Sequence, residues 1–357
     1  MRNTGEFLRM RSISMPGAEG YEWEGLRSSP CNLCPRECGA RREKGQAGYC
    51  LSDNRIFVAR AALHMWEEPC ISGDKGSGTV FFTGCSLRCV YCQNYEITGG
   101  QVSAGSQESI GSKDFMENKD SIGKPSTKNS IFAGKQVSIE KLGKIFLKLQ
   151  EMGAANINLV TPDHHVTGIA RAVLEAKQNG LVIPVVYNGS GYEKREVIRN
   201  LSGIIDIFLT DFKYMDGELA GKYSSAPDYP EVAKGALEEM VRTVGSPVFD
   251  GKGMMRRGVI VRHLLLPGHK KNAKKVISYV YETYKDKVFL SLMNQYTPFE
   301  RVKGKPEFGS LGRKVTKREY DDVVDYAIGL GVKNAFIQEG ATAEESFIPA
   351  FDGEGVD

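Results

Sequence analysis

The sequence predicts an α/β fold: a partial, open barrel of the TIM type, built from parallel βα units and preceded by a cysteine-rich metal-binding knuckle. Strand-like and helix-like segments alternate from Gly78 to the end of the chain. The strand-like segments are continuous apolar runs, which is typical of parallel strands buried on both faces. Six or seven such units are fewer than a closed eight-stranded barrel requires, so the barrel is expected to be open.

The predicted strands are apolar runs that end at proline, glycine or polar residues. They cover residues 78–84, 156–161, 181–187, 204–211, 258–266, 288–293 and 334–338. Helices are predicted between them, behind Ser138 and at about 166–179, 230–244, 272–285 and 317–330, with a short one before residue 204. The helix behind Ser138 shows the pattern most clearly, because Leu142, Ile145, Phe146 and Leu149 fall at helical spacing after an N-cap residue.

Two parts and one insertion are predicted along the chain. Residues 1–54 form an N-terminal arm with four cysteines, and residues 55–357 form the barrel. Residues 55–77 lead into the first strand and contain Cys70, which is expected to be a small buried apolar residue. Residues at about 99–135 are rich in glycine, serine and lysine and contain few apolar side chains. We therefore expect a mobile surface insertion there.

The composition narrows the class of protein. The net charge is +3, which does not indicate a nucleic acid or membrane-surface partner. The first residues contain no apolar core of a signal peptide, and no run of 18 apolar residues occurs. Seven of the eight cysteines fall in two tight groups, which favours metal ligation in a reducing cytoplasm over a disulfide framework.

The downstream cysteine group has one ligand fewer than a metal cluster needs. Cys85, Cys89 and Cys92 have the spacing C-x3-C-x2-C, directly after the first predicted strand. A [4Fe–4S] cluster normally takes four thiolates, so three leave one iron open for chemistry. The alternative is a zinc site with a remote fourth ligand. Zinc sites usually repeat C-x2-C pairs, and no such pair follows Cys92.

The upstream group supplies a complete ligand set. Cys31, Cys34, Cys38 and Cys50 have the spacing C-x2-C-x3-C-x11-C. Four thiolates close a tetrahedral zinc site or complete an auxiliary Fe–S cluster, and the spacing does not decide between the two. A structural, metal-stapled knuckle is the favoured interpretation. The alternative is a group of buried thiols without a metal.

The downstream motif resembles the signature of radical S-adenosylmethionine (SAM) enzymes, C-x3-C-x-Φ-C, with Tyr91 as the aromatic residue. Within that group the chain is most similar to glycyl-radical-enzyme activating enzymes, the pyruvate formate-lyase activating enzyme family and its long-form subgroup, over about residues 55–350. The resemblance is carried by residues 81–95, 187–192, 206–214 and 262–268.

The resemblance implies a function, its cofactors and its partners. A [4Fe–4S] cluster, reduced by flavodoxin or ferredoxin, would cleave SAM to a 5′-deoxyadenosyl radical, which would abstract hydrogen from a glycine Cα of a partner enzyme. The residues implied in cofactor binding are Tyr91, Asn188, Asp211, Lys213 and Arg262. Carboxylates suit the amino group of SAM, and Arg or Lys suits its carboxylate. No residue beyond the cluster ligands is assigned to catalysis.

Two departures from the family leave the substrate open. The activases have Gly-Gly-Glu after the second strand, where this chain has Val160-Thr161-Pro162 with Asp163 nearby, and many have a histidine where Asn294-Gln295 stands here. One alternative is therefore a radical SAM modification of another peptide or a small molecule. An alternative of a different class is a non-catalytic scaffold protein that binds zinc or iron.

Overall fold

The protein is described by a computed structural model that covers residues 23, 25–99, 134–338 and 349–357. Ten strands lie in this part of the chain: β1 (Ile56–His64), β2 (Ser77–Phe82), β3 (Lys135–Val137), β4 (Ile157–Val160), β5 (Val185–Gly189), β6 (Ile207–Asp211), β7 (Val248–Phe249), β8 (Met255–Leu264), β9 (Phe289–Met293) and β10 (Ala335–Ile337). The α-helices are α1 (Pro69–Ser72), α2 (Tyr95–Thr98), α3 (Ile139–Glu151), α4 (Val166–Gln178), α5 (Arg195–Asn200), α6 (Gly217–Ser224), α7 (Tyr229–Val244), α8 (Lys270–Tyr284) and α9 (Lys317–Leu330).

The strands form one mostly parallel sheet in the order β10-β9-β8-β6-β5-β4-β2-β1-β3, with β7 attached to β8. All pairs from β2 to β10 along this path are parallel. The two edges, β10 and β3, do not pair with each other in the described chain, so the sheet is open. The prediction of an open α/β fold with a mainly parallel sheet is therefore confirmed.

The predicted element bounds hold for most of the barrel. The helix behind Ser138 is α3, and its N-cap hydroxyl accepts a hydrogen bond from the Lys141 N–H at 3.1 Å. The strand expected from residue 181 begins only at Val185, because the preceding residues pass through Pro184 before they reach the sheet. Cys70 is buried, as expected, on α1.

The antiparallel edge of the sheet was not predicted. Residues 55–77 were expected only to lead into the first strand, but β1 lies among them and pairs antiparallel with both β2 and β3. The strand β3 begins at Lys135, which falls at the end of the expected insertion. The rest of that insertion, residues 100–133, lies outside the described residues, as do residues 1–22 of the N-terminal arm. No helix in the described ranges is long and apolar enough to cross a membrane.

The register of the sheet sets which side chains meet inside it. Because side chains alternate along a strand, residues paired across neighbouring parallel strands face the same side. Val160 on β4 pairs with Asn188 on β5, and Asp211 on β6 pairs with Arg262 on β8, which pairs in turn with Ser291 on β9. These positions face the inside of the curved sheet, whereas the helices cover its outside.

Candidate functional site

A cavity of about 590 Å³ occupies the inside of the curved sheet. This volume is in the range of small-molecule sites. Its walls come from strands across the whole sheet, from Phe81 on β2 to Phe336 on β10, which shows that the sheet curves around it. All three cysteines of the downstream group line the cavity, and so do the five residues that the resemblance implies in cofactor binding: Tyr91, Asn188, Asp211, Lys213 and Arg262. Their roles remain predictions.

The three cysteines lie on a loop that follows β2 and is held by the end of α6. The N–H groups of Arg88 and Val90 donate to the carbonyl oxygens of Ser224 and Tyr223, at 3.2 and 2.9 Å. The loop turns at Gly84, whose φ of +90° is left-handed and favours glycine. A Cβ at this position would lie 2.6 Å from the Cys50 carbonyl oxygen, so glycine is also required for close packing.

Hydroxyl groups lie beside two of the three sulfurs. The Ser224 Oγ is 3.0 Å from the Cys89 Sγ, and the Thr98 Oγ1 is 3.5 Å from the Cys92 Sγ. Ser224 continues into a chain of hydroxyl groups, because the Tyr214 OH is 2.8 Å from its Oγ and 2.6 Å from the Tyr91 OH. Hydrogen bonds to ligand sulfurs tune the reduction potential of a metal cluster. Neither Ser224 nor Tyr214 carries a signal in the sequence that would have identified it.

Burial of the cysteine loop disfavours thiolates unless a metal cation compensates their charge. Burial raises the pKa of the Cys85 thiol well above its usual range, and burial also raises the pKa of the Cys89 thiol, although the nearby Lys213 ammonium opposes that rise. Arg301 donates from Nη2 to the Cys92 carbonyl oxygen at 2.9 Å, and burial lowers the pKa of its guanidinium. Buried thiols of this kind ionise when a metal cation compensates their charge.

The cysteine side chains on the loop distinguish a cluster from a single metal ion. No three His, Cys, Asp or Glu side chains of the described ranges are grouped tightly enough to hold a single metal ion. A cubane cluster binds each thiolate on a different iron, so its ligands stand farther apart than those of one ion. Three cavity-facing thiols on one loop, with hydroxyl donors beside two of them, therefore fit a cluster better than a single zinc ion.

The end of β6 presents an ion pair to the cavity. The Lys213 ammonium pairs with the Asp211 carboxylate. The Tyr229 hydroxyl fixes this strand end by accepting from the Lys213 N–H at 3.0 Å and donating to the Ser190 carbonyl oxygen at 2.8 Å. A Cβ at Gly191 would lie 2.2 Å from the Asp211 carbonyl oxygen, which explains the second glycine of the Asn-Gly-Ser-Gly run.

Arg262 is placed differently from the other expected cofactor residues. It lines the cavity, but its Nε donates to the Glu68 Oε1 at 2.8 Å and its Nη2 to the Glu68 Oε2 at 2.7 Å. The same Nη2 also donates to Glu67. A guanidinium that is already paired with two carboxylates is a poor partner for a third, so the expected contact with the SAM carboxylate would require these ion pairs to open. No motif in the sequence identifies either glutamate.

Three of the four upstream cysteines, Cys31, Cys34 and Cys50, are buried, and the exposed Cys38 lies beside them. A Cβ at Gly48 would lie 3.1 Å from the Cys38 Sγ and 3.6 Å from the Cys50 Sγ. A hydrogen bond from the Cys31 thiol lowers the pKa of Cys38 to about 5, whereas burial raises the pKa of Cys34 to about 12. The four thiols thus lie near one another, but no three ligating side chains of the described ranges are grouped tightly enough to hold a single metal ion, so the metal knuckle is not confirmed.

The two cysteine groups lie side by side, which the sequence did not predict. The Cys85 N–H donates to the Cys50 carbonyl oxygen at 3.3 Å. Arg36 donates from Nε to the Ser86 carbonyl oxygen at 2.9 Å, and its guanidinium lies 4.3 Å from the centre of the Tyr49 ring. These contacts fix the upstream segment against the loop that carries the downstream cysteines.

Asp163 follows the Val160-Thr161-Pro162 segment that stands where the activases have Gly-Gly-Glu. Its carboxylate is close enough to act electrostatically on both Cys34 and Cys85, one from each cysteine group. It is buried in a short 3-10 turn with His164 and His165, and it does not line the cavity. The His164 Nε2 is 2.6 Å from the Thr83 carbonyl oxygen, so this ring is part of the packing under the cysteine loop. The two histidines belong to the short turn that leads directly into α4.

Comparisons with known proteins assign no function to the chain. No family model matches the chain. An uncharacterised protein of Methanocaldococcus jannaschii is 25% identical over 300 residues, which cover 83% of this chain and 74% of that protein. Streptococcus suis SuiB bound to the precursor peptide SuiA is similar in structure over 72% of this chain, with 12% identity and a TM-score of 0.42. SuiB bound to S-adenosylmethionine gives 11% identity and the same TM-score.

The chain spans about half the length of these SuiB structures, 47% and 49%. A TM-score of 0.42 is too low to support an argument about chemistry. These similarities therefore assign no activity to this chain.

Proposed function

We propose that the protein is a radical SAM enzyme. The observation that carries the proposal is the position of Cys85, Cys89 and Cys92, which share one cavity with the polar ends of β5 and β6. Three thiolates would hold a [4Fe–4S] cluster and leave one iron open towards the cavity. The curved sheet surrounds the cavity and would limit the access of water to the reaction, as reactive intermediates require.

The chain's own residues have separate roles in this proposal. When bound, the cluster and SAM supply a one-electron cleavage that yields a 5′-deoxyadenosyl radical for hydrogen abstraction. Lys213 and Asp211 present opposite charges at the cavity and suit the carboxylate and amino groups of an amino-acid moiety. Asn188 offers an amide to the same region, and Tyr91 supports the loop through its hydrogen bond to Tyr214. An external donor such as flavodoxin or ferredoxin would deliver the electron.

Activation of a glycyl-radical enzyme is the proposed role for this chemistry. It is supported by the residues that resemble the activating enzymes, including the Asp211-x-Lys213 pair. Modification of another peptide or of a small molecule fits the cavity as well, and the Val160-Thr161-Pro162 segment at its edge departs from the activases. The glycyl doublet in the EPR spectrum of candidate partner enzymes, after incubation with reduced protein and SAM, distinguishes the two.

The radical SAM proposal is tested by the formation of 5′-deoxyadenosine. Anaerobically reconstituted protein, reduced with dithionite and given SAM, is expected to form it, and Cys89→Ala is expected not to. The matched control is Cys70→Ala, which removes a buried cysteine that lies on α1 and does not line the cavity. If Cys89→Ala cleaves SAM as fast as the control, the three-cysteine cluster is not the site of the reaction.

We further propose that Cys31, Cys34, Cys38 and Cys50 bind a second metal, either zinc or an auxiliary cluster. The burial of Cys31, Cys34 and Cys50 and the hydrogen bond between the Cys31 and Cys38 thiols support this proposal. Metal analysis of reconstituted wild-type protein is expected to give about one zinc per chain or more iron than one cubane holds. Changing Cys31 and Cys34 to Ser should remove the excess and leave SAM cleavage intact. About four irons and no zinc in the wild type would contradict a second site.

A further inference from the structure

A second cavity, of about 720 Å³, lies outside the curved sheet. Its walls come from the N-terminal segment, from the ends of β1 and β3, and from the first residues of α3 and α4. It shares no lining residue with the cavity of the cysteine loop. Its volume is in the range of small-molecule sites and exceeds what a single ion would fill. The proposed radical SAM chemistry makes no use of it.

The second cavity carries an excess of positive charge. The charged residues that line it are four arginines and one glutamate: Arg27, Arg42, Arg55, Arg171 and Glu43. Arg55 is neutralised by Asp53, whose Oδ2 lies 2.6 Å from its Nη2. Neither Arg27 nor Arg171 forms an ion pair in the part of the chain that the structure describes. Glu43 alone cannot balance the remaining guanidinium groups.

Arg42 is a buried cation without a carboxylate partner. It is 2% exposed, and its Nε and Nη2 donate to the Asp53 carbonyl oxygen at 3.1 and 2.6 Å, while its Nη1 donates to the His164 carbonyl oxygen at 2.6 Å. A buried charge that meets only neutral dipoles is costly. The charge of Arg42 also opposes the rise that burial causes in the pKa of Cys50, so ligated thiolates of the upstream group would share it. They do not account for the cavity's other arginines.

His165 provides a second, independent observation. It lines the second cavity, it is 3% exposed, and its Nε2 has no hydrogen-bond partner among the described residues. Burial lowers the pKa of its ring well below the usual range, so the ring is neutral at pH 7. A neutral imidazole carries one N–H, which Nε2 holds in one of the two tautomers. A ligand oxygen at this place would satisfy a nitrogen that is otherwise left buried and unpaired.

The start of α4 faces the same cavity without a cap. No side chain caps this helix, and its first turn contains no acidic residue. Thr167 and Gly168 of that turn line the cavity, and Arg171 follows one turn later on the same helix. The N-terminus of a helix carries a partial positive charge, and its N–H groups suit the oxygens of an anion. The N-terminus of α4 thus adds to the positive charge of the arginines.

We propose that the second cavity binds a small organic phosphate, held by Arg42, Arg171, His165 and the first turn of α4. A phosphate group carries up to two negative charges and three acceptor oxygens, which suits several donors at once, whereas a carboxylate offers a single charge. The apolar side chains of Leu26 and Ile139 also line the cavity and would contact the organic part of the ligand. The proposal goes beyond the radical SAM function and does not depend on it. Free phosphate is the competing occupant.

The test compares three probes: phenyl phosphate, inorganic phosphate and benzoate. Their binding to the full-length reconstituted protein is measured by anaerobic calorimetry without SAM, at constant ionic strength. Phenyl phosphate is expected to bind at least tenfold more tightly than either of the others. Arg171→Gln should weaken its binding about tenfold. The matched control is Arg318→Gln, an exposed arginine in the first turn of α9 that does not line the cavity, and it should keep the wild-type affinity.

A third variant examines the unpaired nitrogen. His165→Phe keeps a ring of similar size and removes Nε2, so it should weaken the binding of phenyl phosphate severalfold. If this variant does not fold, the comparison of Arg171→Gln with Arg318→Gln still decides, because both of these side chains are exposed.

Each contrary result overturns a stated part of the proposal. No binding of phenyl phosphate, or equal binding of benzoate, overturns the phosphate site. Unchanged affinity in Arg171→Gln, or an equal loss in Arg318→Gln, shows that the phosphate binds elsewhere or through overall charge, and overturns the assignment to this cavity. Equal affinity for phenyl phosphate and inorganic phosphate overturns the organic ligand in favour of free phosphate.

Discussion

Removing the Ser224 hydroxyl should make the cluster harder to reduce. The Ser224 Oγ is 3.0 Å from the Cys89 Sγ, and a hydrogen bond to a sulfur stabilises the more negative, reduced cluster. A hydrogen bond to a charged group contributes about 1.5–3 kcal/mol. If about a third of this differs between the two oxidation states, Ser224→Ala lowers the one-electron potential by roughly 20–40 mV.

The assay is a redox titration of the reconstituted protein, followed by EPR of the reduced cluster. Ser278→Ala is the matched control, because its Oγ forms a similar hydrogen bond to the Tyr326 OH at 2.7 Å, between α8 and α9. The control should lose about 1 kcal/mol of unfolding free energy and keep the wild-type potential. An unchanged or higher potential in a folded Ser224→Ala protein would refute the reasoning.

Two further predictions concern stability. Gly84→Ala should destabilise the protein by on the order of 3 kcal/mol, because its Cβ would meet the Cys50 carbonyl oxygen at 2.6 Å at a left-handed φ. Gly45 also has a left-handed φ, but the space around it is open, so Gly45→Ala should lower the free energy of unfolding less than Gly84→Ala does. Equal decreases for the two variants in thermal unfolding would contradict this reasoning. Arg313 lowers the pKa of Glu319, so this carboxylate stabilises the fold above the unfolded pKa of about 4.3, and the stability is lost as the pH falls through the folded pKa. The stability difference between wild type and Glu319→Gln should therefore be smaller at pH 3 than at pH 7; an equal difference would contradict the assignment.

The parallel part of the fold was predictable because each strand is a short apolar run followed by a polar residue. Strand β6 ends at Asp211 and β5 ends in the Asn-Gly pair, which identified both the element and its functional end. Strand β1 was missed because its burial is irregular, with Arg60 and several later positions only half-buried. A strand of this kind, antiparallel and second from the edge of the sheet, lacks the continuous buried run on which the prediction depended.

The candidate site was predictable only where local spacing carries the chemistry. Cys85, Cys89 and Cys92 are close in the sequence, so their spacing identified them. Ser224 and Glu68 depend on contacts across 135 and 194 residues, with Cys89 and Arg262 respectively. Such contacts are set by the curvature of the sheet and the path of the chain under it. No pattern in one sequence reveals them.

The central claim is that SAM binds at the open iron of a cluster held by three cysteines. Electron–nuclear double resonance of the reduced cluster, with SAM labelled with ¹⁵N at its amino group, measures this contact directly. The proposal predicts a hyperfine coupling from that nitrogen in the wild-type protein and in Cys70→Ala, and none in Cys89→Ala. A reduced four-iron cluster that binds SAM without any coupling to the labelled nitrogen would contradict the claim.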